Sequence, residues 1–279
     1  MQLTPLTGTF GAEATDVDLG AGLDPAEVEE LRAAFHANGV LVVRDQQLTL
    51  EQFESFAASL GTVTQSPFVT PVEGHPDVLC VKREADEEAT AFGEGWHSDW
   101  SFQPAPPAAT LLYAADVPAA GGDTVFSSMH LAVEALSPAM VGMLDGLRVT
   151  HSAGRYFAPQ AAFAAGGPDA SMEIRPDPCA LAEQSHPMVV THPVTGRRSI
   201  FANECYTTGI EGMSAAESQP LLRFVYDHLA RVAFTLRVRW RPGTLTMWDN
   251  LAVQHYAVDD YAGTRRELYR IVLAGEPPI

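Results

Sequence analysis

The run Gly39-Val40-Leu41-Val42-Val43 predicts a buried β-strand, because apolar and β-branched residues follow a glycine without a polar interruption. From residue 78 onward, similar short apolar or alternating runs recur and are separated by Gly and Pro. They predict strands at residues 78–81, 110–115, 124–127, 189–191, 199–202, 234–240, 245–248 and 269–273. Short strands that recur evenly with turn signals are typical of a sandwich or jelly roll. The predicted fold class is therefore mainly β with flanking helices.

Helices are predicted on either side of this β pattern. One covers residues 25–35, with Asp24 as its N-cap and Pro25 in its first turn. Another covers residues 50–60 between Thr49 and Gly61. Two more, at 131–144 and 215–230, interrupt the strands.

The chain length bounds the number of domains. With 279 residues and 46% hydrophobic content, the chain is long enough for one large domain or two small ones. A single domain over residues 1–279 is predicted. The segment 158–187 is irregular and rich in Ala, Gly and Pro, which is typical either of a lid or insert or of disorder.

The charge and the cysteines exclude several classes of partner and compartment. A formal net charge of -18 without a run of Lys or Arg argues against nucleic acid and against anionic membrane surfaces. Cys80, Cys179 and Cys205 are too few and too scattered for a disulfide framework. No apolar stretch reaches the length of a membrane span, and the N-terminus lacks a signal-peptide pattern. A cytoplasmic protein is expected.

The run Gly95-Trp96-His97-Ser98-Asp99 contains two potential metal ligands. If the run is a strand, His97 and Asp99 point to the same face and can reach one ion. With the distant His255 they match the 2-His-1-carboxylate triad of non-haem Fe(II) oxygenases. Three protein ligands leave coordination positions open for a co-substrate and for dioxygen, which a closed structural zinc site does not.

A lone His-x-Asp pair is common, so the interpretation depends on the motifs around it. Gly121-Gly122-Asp123-Thr124 follows the pair, Trp248-Asp249-Asn250 precedes His255, and Arg265-Arg266 follows His255. With these motifs the chain resembles the TauD/TfdA family of Fe(II)- and 2-oxoglutarate-dependent dioxygenases. The resemblance covers nearly the whole chain, from the run at 39–46 through His192-Pro193-Val194-Thr195-Gly196-Arg197 to Arg270.

The resemblance implies a fold and a set of cofactors. The fold is a distorted double-stranded β-helix (jelly roll, cupin-like), and the implied metal ligands and catalytic residues are His97, Asp99 and His255. Arg266 and Thr124 match the residues that hold the distal carboxylate of 2-oxoglutarate, a task that suits the planar guanidinium. The implied reaction consumes 2-oxoglutarate and dioxygen, releases succinate and CO₂, and hydroxylates a substrate carbon.

The prime substrate is implied to be a small anion. Arg270 lies four residues beyond Arg266, on the same face of a strand, and matches the arginine that grips the acidic group in sulfonate and aryloxyacid members. Phe102, Phe157 and Tyr206 fall where the family places aromatic substrate walls, although buried aromatic residues are more often plain core.

The chain also departs from the taurine enzymes. Their His, Tyr and Asn, which help to hold taurine, are replaced by Ser66, Val69 and Gly93. This less polar pocket favours an alkyl sulfate, an alkanesulfonate, an aryloxyalkanoate or a natural-product acid over taurine. The retained carboxylate of Asp99 argues against halogenation, because halogenating relatives lack it.

Two alternatives use the same ligands: a zinc-dependent cupin-like hydrolase or isomerase, and a non-catalytic metal-binding protein. The paired Thr124 and Arg266 argue against the hydrolase or isomerase, since they have no purpose without a dicarboxylate. His151 and His192 match family positions that are not metal ligands, and a structural role is expected for both. Family members are often homodimers or homotetramers, but the chain carries no decisive interface signal.

Overall fold

The computed structural model describes residues 1–87, 92–161 and 171–279 of the chain. In these ranges, helices α1 to α6 lie at Pro25–Asn38, Leu50–Leu60, Met129–Glu134, Pro138–Asp145, Gly154–Phe157 and Ala215–Leu229. Strands β1 to β16 lie at Gln2–Pro5, Ala12–Thr15, Val40–Val43, Val63–Thr64, Leu79–Arg83, Ala109–Asp116, Thr124–Ser128, Arg148–Ser152, Glu183–Pro187, Val189–Thr191, Arg198–Ile200, Thr207–Ile210, Thr235–Val238, Leu245–Asp249, Val253–Ala257 and Arg266–Leu273.

Two sheets face each other across a shared core. The larger has the strand order β1-β2-β3-β14-β6-β16-β4, with β5 also paired to β16, and the smaller has the order β13-β7-β15. Phe126 and Leu236 of the smaller sheet pack with Leu112 and Leu268 of the larger one. Two sheets around a common apolar core form the jelly-roll arrangement that the strand pattern predicts.

The outer face of the larger sheet is covered by α1 and α2. Phe35 of α1 and Phe53 of α2 pack against Leu41 and Met247 of the sheet. The next residue on β14, Trp248, belongs instead to the core between the sheets. Successive side chains of a strand point to opposite faces, so β14 contributes to both layers.

The predicted start of α1 and both predicted ends of α2 are confirmed, whereas α1 continues three residues beyond its predicted end at residue 35. The Asp24 carboxylate accepts hydrogen bonds from the N–H groups of Ala26 and Glu27, and α1 runs on to a left-handed Gly39 with φ 69°. The bounds of α2 agree with the prediction, and the Thr49 hydroxyl accepts a hydrogen bond from the N–H of Gln52. Side-chain capping of this kind depends on neighbouring residues only, which is why the sequence reveals it.

The prediction of one helix at 131–144 is wrong. The segment forms two short helices, α3 and α4, which are separated at Ser137 and Pro138. Pro138 has no N–H to continue the first helix, and the Ser137 hydroxyl caps the second one by accepting a hydrogen bond from the N–H of Met140. The last helix, α6, forms close to its predicted bounds despite Pro220, which lies within it.

The expected strand through His97 and Asp99 does not form. His97 makes an isolated antiparallel bridge with His255, and Asp99 already lies in a turn. The next residue, Trp100, has a left-handed backbone with φ 45°. The turn therefore aims the Asp99 side chain, and strand alternation does not.

The segment predicted as a lid or insert lies partly outside the described residues, which omit 162–170. Its described part contains a 3₁₀ turn, Pro178–Leu181, and strand β9. Residues just before these elements contact an earlier loop, since Thr70 and Glu173 share a backbone hydrogen bond. Among the described helices, none combines the length and the apolar character that a bilayer crossing requires.

Candidate active site

His97, Asp99 and His255 come together in one buried cluster. One potential ligand atom from each lies within 4.8 Å of the others. The Oδ1 atom of Asp99 lies 3.7 Å from Nε2 of His97 and 3.8 Å from Nε2 of His255. All three side chains are buried. A cation at the centre of this group would satisfy two imidazole nitrogens and a carboxylate oxygen at once.

The backbone holds the two histidines side by side. The N–H of His97 donates to the carbonyl of His255 at 3.0 Å, and the N–H of His255 donates to the carbonyl of His97 at 2.8 Å. The ring of His255 also packs on Trp248, with centroids 4.7 Å apart. The bridge therefore connects two segments far apart in the sequence and aligns their imidazoles.

The hydrogen bond of His97 fixes which of its ring nitrogens is available to a metal. Nδ1 of His97 lies 2.8 Å from the carbonyl oxygen of Gly95, which can only accept, so Nδ1 carries the proton and Nε2 is free to coordinate. Burial and the neighbouring His97 lower the pKa of His255 well below its usual value, whereas the burial of His97 is outweighed by Cys205 and Asp99, which raise its pKa. Burial raises the pKa of Asp99, but Arg270 and the two histidines outweigh it and bring this pKa to about 2.

Arg270 lies beside the cluster. Its Nη2 atom is 2.7 Å from Oδ1 of Asp99, and its guanidinium stacks 5.3 Å from the Trp100 ring centroid. The approach to Asp99 is off the hydrogen-bonding direction: among the described residues, Nε and Nη2 of Arg270 have no hydrogen-bond acceptor. A buried guanidinium with unused N–H groups is suited to an incoming anion.

Arg266 lies on the same face of β16 as Arg270, in agreement with the predicted alternation. Its Nε donates to the carbonyl of Gly122 at 3.2 Å, two residues from Thr124. A Cβ on Gly122 would lie 3.1 Å from Cδ and Nε of Arg266, so glycine makes room for the guanidinium here. Burial lowers the pKa of Arg266, and among the described residues no carboxylate lies within 4 Å of it.

A pocket opens next to the cluster of His97, Asp99 and His255. The pocket and its open mouth together enclose about 350 Å³ of empty space. Its lining includes Arg270, Trp100, Phe157 and Tyr206. Phe102, predicted as a wall, packs on Tyr206 with centroids 5.0 Å apart and supports the wall from behind. Of the three positions where the chain departs from the taurine enzymes, Gly93 lines the pocket.

A second cluster, His36, His192 and Asp249, also has the composition of a metal site. The Nδ1 atom of His192 accepts hydrogen bonds from the N–H groups of Val194 and Thr195, both at 3.1 Å, so its proton must be on Nε2. That Nε2–H donates to Oδ2 of Asp249 at 2.8 Å. No lone pair remains for a metal, and His192 is structural, as predicted.

Acid should destabilise the protein through Asp249. Burial raises the pKa of its carboxyl, but hydrogen bonds from His192 and His36 outweigh it and lower the pKa from 3.8 to about 2. A carboxyl with a lowered folded pKa stabilises the protein above its unfolded pKa, and this contribution is lost as the pH falls to about 2. We expect Asp249→Asn to remove about 2 kcal/mol of this pH dependence, measured by urea unfolding between pH 2 and 5.

The control for this prediction is Asp227→Asn, an exposed carboxylate on α6 that pairs with Arg223. It should leave the slope of stability against pH unchanged. An unchanged slope in both variants would show that Asp249 is not the group that titrates.

Several residues of the site are absent from the sequence prediction. Trp100, Tyr156 and Cys205 line the pocket, and Thr110 and Asn250 contact Asp99. Only two of them carry a signal: Asn250 stands in the Trp-Asp-Asn motif, and Thr110 opens an apolar strand with a polar side chain. The others are ordinary residue types in irregular segments.

Comparison with known proteins identifies the family. Residues 2–272 match the family model described as taurine catabolism dioxygenase TauD, TfdA family. The chain belongs to the TauD/TfdA family. The alpha-ketoglutarate-dependent sulfate ester dioxygenase of Pseudomonas putida is 33% identical, over 100% of this chain and 91% of that protein. The alpha-ketoglutarate-dependent 2,4-dichlorophenoxyacetate dioxygenase of Cupriavidus pinatubonensis is 33% identical, over 95% of each chain.

A solved structure extends the comparison to the fold. The crystal structure of a taurine dioxygenase from Burkholderia xenovorans superposes with a TM-score of 0.84 at 33% identity, covering 100% of this chain and 92% of that one. The double-stranded β-helix prediction is confirmed. As a member of the TauD/TfdA family, the chain is a dioxygenase that works with Fe(II), 2-oxoglutarate and dioxygen. The hydrolase, isomerase and non-catalytic alternatives are set aside.

Proposed function

We propose that His97, Asp99 and His255 hold Fe(II), and that Arg266 and Thr124 bind the distal carboxylate of 2-oxoglutarate. The observation that carries the proposal is Arg266, which is 5% exposed, lies on the same face of β16 as Arg270, and has no carboxylate within 4 Å among the described residues. A buried cation without an anion is costly, so a bound dicarboxylate explains its presence.

Thr124 is prepared to donate to the same carboxylate. Its Oγ1 accepts a hydrogen bond from the indole N–H of Trp240 at 3.0 Å, which directs the hydroxyl proton elsewhere. Thr124 is buried on β7, on the face that also carries Phe126 of the core between the sheets. A hydroxyl that donates and a guanidinium fork that donates twice together match one carboxylate.

We further propose that Arg270 binds the acidic group of the prime substrate. Arg270 and Asp99 both line the pocket, and Nε and Nη2 of Arg270 have no hydrogen-bond acceptor among the described residues. A bound cation would take over the neutralisation of Asp99 and leave the guanidinium to the substrate. The iron, when bound, supplies the oxidation of substrate by dioxygen that is coupled to decarboxylation of 2-oxoglutarate. The chain itself binds, orients and shields the reacting carbon.

The pocket walls favour a substrate with an apolar or aromatic body. Phe157 stacks on Phe68 with centroids 4.9 Å apart, and Tyr206 completes this side of the pocket. We therefore propose hydroxylation of a sulfonate, alkyl sulfate, aryloxyalkanoate or natural-product carboxylic acid. The activities by which two relatives are named, sulfate ester dioxygenase and 2,4-dichlorophenoxyacetate dioxygenase, support these classes.

Three further proposals concern the whole chain. Residues 1–279 form a single domain with a lid or insert around 158–187, of which residues 162–170 lie outside the described residues; the N–H and hydroxyl of Ser171, which both donate to the Glu87 carboxylate, connect its described part to an earlier loop. The protein acts in the cytoplasm, in keeping with its free cysteines. A homodimer or homotetramer stays a prediction.

Substrate-dependent succinate release tests the function. With Fe(II), 2-oxoglutarate and oxygen, acids of the proposed classes should accelerate succinate release about tenfold or more over the substrate-free rate. Uncharged analogues of equal length should not. Arg270→Ala should raise KM for the acid about 30-fold, because about 2 kcal/mol of charge-assisted hydrogen bonding is lost, and should leave KM for 2-oxoglutarate within about twofold.

Arg155→Ala is the matched control, since Arg155 is exposed and stacks on Tyr156, which lines the pocket. It should change neither constant. Equal turnover of charged and uncharged analogues would contradict the anionic substrate. Equal effects of Arg270→Ala on both constants would contradict the division between Arg270 and Arg266.

A further inference from the structure

Asp99 is held at two points by a pair of buried side chains. Its N–H donates to Oδ1 of Asn250 at 3.3 Å. Its Oδ2 accepts a hydrogen bond from the Thr110 hydroxyl at 2.6 Å. Nδ2 of Asn250 donates to Oγ1 of Thr110 at 3.1 Å, which closes the ring. Asn250 and Thr110 are fully buried, and we call them the Asp99 clip.

The hydrogen-bond directions in the clip are unambiguous. A carboxylate only accepts and an amide nitrogen only donates, so the Thr110 hydroxyl must give its proton to Asp99. Rotating the Asn250 amide by 180° would set its NH₂ group against the N–H of Asp99. The network therefore exists in one arrangement, and each member depends on the others.

The clip itself is anchored to the sheet. The N–H of Asn250 donates to the carbonyl of Ala108 at 3.0 Å, and the N–H of Asp249 donates to that of Gly39 at 3.0 Å. The Asp249 carboxylate accepts the N–H groups of Leu251 at 2.9 Å and Ala252 at 3.1 Å. A rigid corner thus presents the Asn250 side chain to the irregular turn at Asp99.

We infer that Thr110 and Asn250 are positioning residues that hold Asp99 as a one-oxygen metal ligand. With Oδ2 engaged by Thr110, only Oδ1 faces the two histidines, at 3.7 and 3.8 Å. A carboxylate free to bind through both oxygens would occupy a further coordination position that the co-substrates need. This inference rests on the proposed metal centre.

Mn(II) binding to the metal-free protein, followed by EPR without co-substrates, tests the clip. Thr110→Val keeps the shape of the side chain and removes the hydroxyl, and should raise the Mn(II) dissociation constant about tenfold. Thr110→Ser restores the hydroxyl and should return the constant to within about twofold of wild type. Asn250→Ala should weaken binding too, and the double variant should be no weaker than the worse single variant.

Thr246→Val is the matched control. Thr246 is a buried threonine on β14 whose hydroxyl has no hydrogen-bond partner among the described residues. It should bind Mn(II) like wild type. The proposed role of the clip would be overturned if Thr110→Val bound Mn(II) like wild type, or if Thr246→Val weakened binding as much as Thr110→Val does. If Thr110→Val does not fold, wild-type Mn(II) binding by Asn250→Ala would overturn it instead. Failure of wild type itself to bind Mn(II) would instead overturn the metal centre on which the clip depends.

Discussion

His255→Ala should abolish metal binding and turnover together. The variant removes one of the three proposed ligands, so that only the imidazole of His97 and the carboxylate of Asp99 remain. Loss of an outer partner of a metal ligand already costs about 10–100-fold in affinity, so loss of a ligand should exceed about 100-fold. Isothermal titration with Mn(II) measures the first effect, and succinate release measures the second.

His36→Ala is the control for this experiment. His36 belongs to the second His-His-Asp cluster, and its side chain is 29% exposed. Because the tautomer of His192 excludes a metal there, His36→Ala should bind Mn(II) like wild type. Loss of metal from His36→Ala, with binding retained by His255→Ala, would move the metal to the second cluster and refute our assignment.

Arg266→Ala should weaken 2-oxoglutarate binding and leave metal binding intact. Truncating one partner of a buried, charge-assisted pair costs about 2–5 kcal/mol. The dissociation constant of 2-oxoglutarate should therefore rise roughly 30-fold or more. Titration of the anaerobic Fe(II) protein, followed by the visible band of chelated 2-oxoglutarate, measures it. Because Arg266 has no ion pair in the described structure, its removal leaves no buried carboxylate unpaired.

The neighbouring Arg265 provides a control of the same residue type. Its side chain is 39% exposed and pairs with Asp116 and Glu84 on the surface. Arg265→Ala should leave the 2-oxoglutarate constant unchanged. Arg266→Lys keeps the charge and loses the planar fork, and we expect an intermediate constant. A 2-oxoglutarate constant in Arg266→Ala equal to that of wild type would refute the assignment of this residue.

The sequence predicts elements well where the signals are local. The strand Val40–Val43 and the helix Leu50–Leu60 have their predicted bounds, because a run of β-branched residues and a capping box act over a few neighbours. Prediction of strands from the sequence fails where the alternation of apolar and polar residues is weak. The sequence does not predict strand β15, which carries His255, because this strand depends on its pairing with β7 and with His97.

The sequence by itself determined which side chains are the candidates for the chemistry. Two histidines, a carboxylate and the pair Arg266 and Arg270 are chosen by residue type and motif, and types that bind metals and anions are few. It also determined that the arginines share a face, since period-two alternation is a property of a single strand.

Only the tertiary structure decided how these groups act on each other. It places Arg270 against Asp99, leaves Arg266 without a carboxylate partner in the described residues, and closes Thr110 and Asn250 around Asp99. It also distinguishes the two His-His-Asp clusters, because the tautomer of His192 leaves no ring nitrogen for a metal in the second one. Hydrogen bonds and charges act over a few ångströms in space, and segments far apart in the chain meet at those distances only after folding.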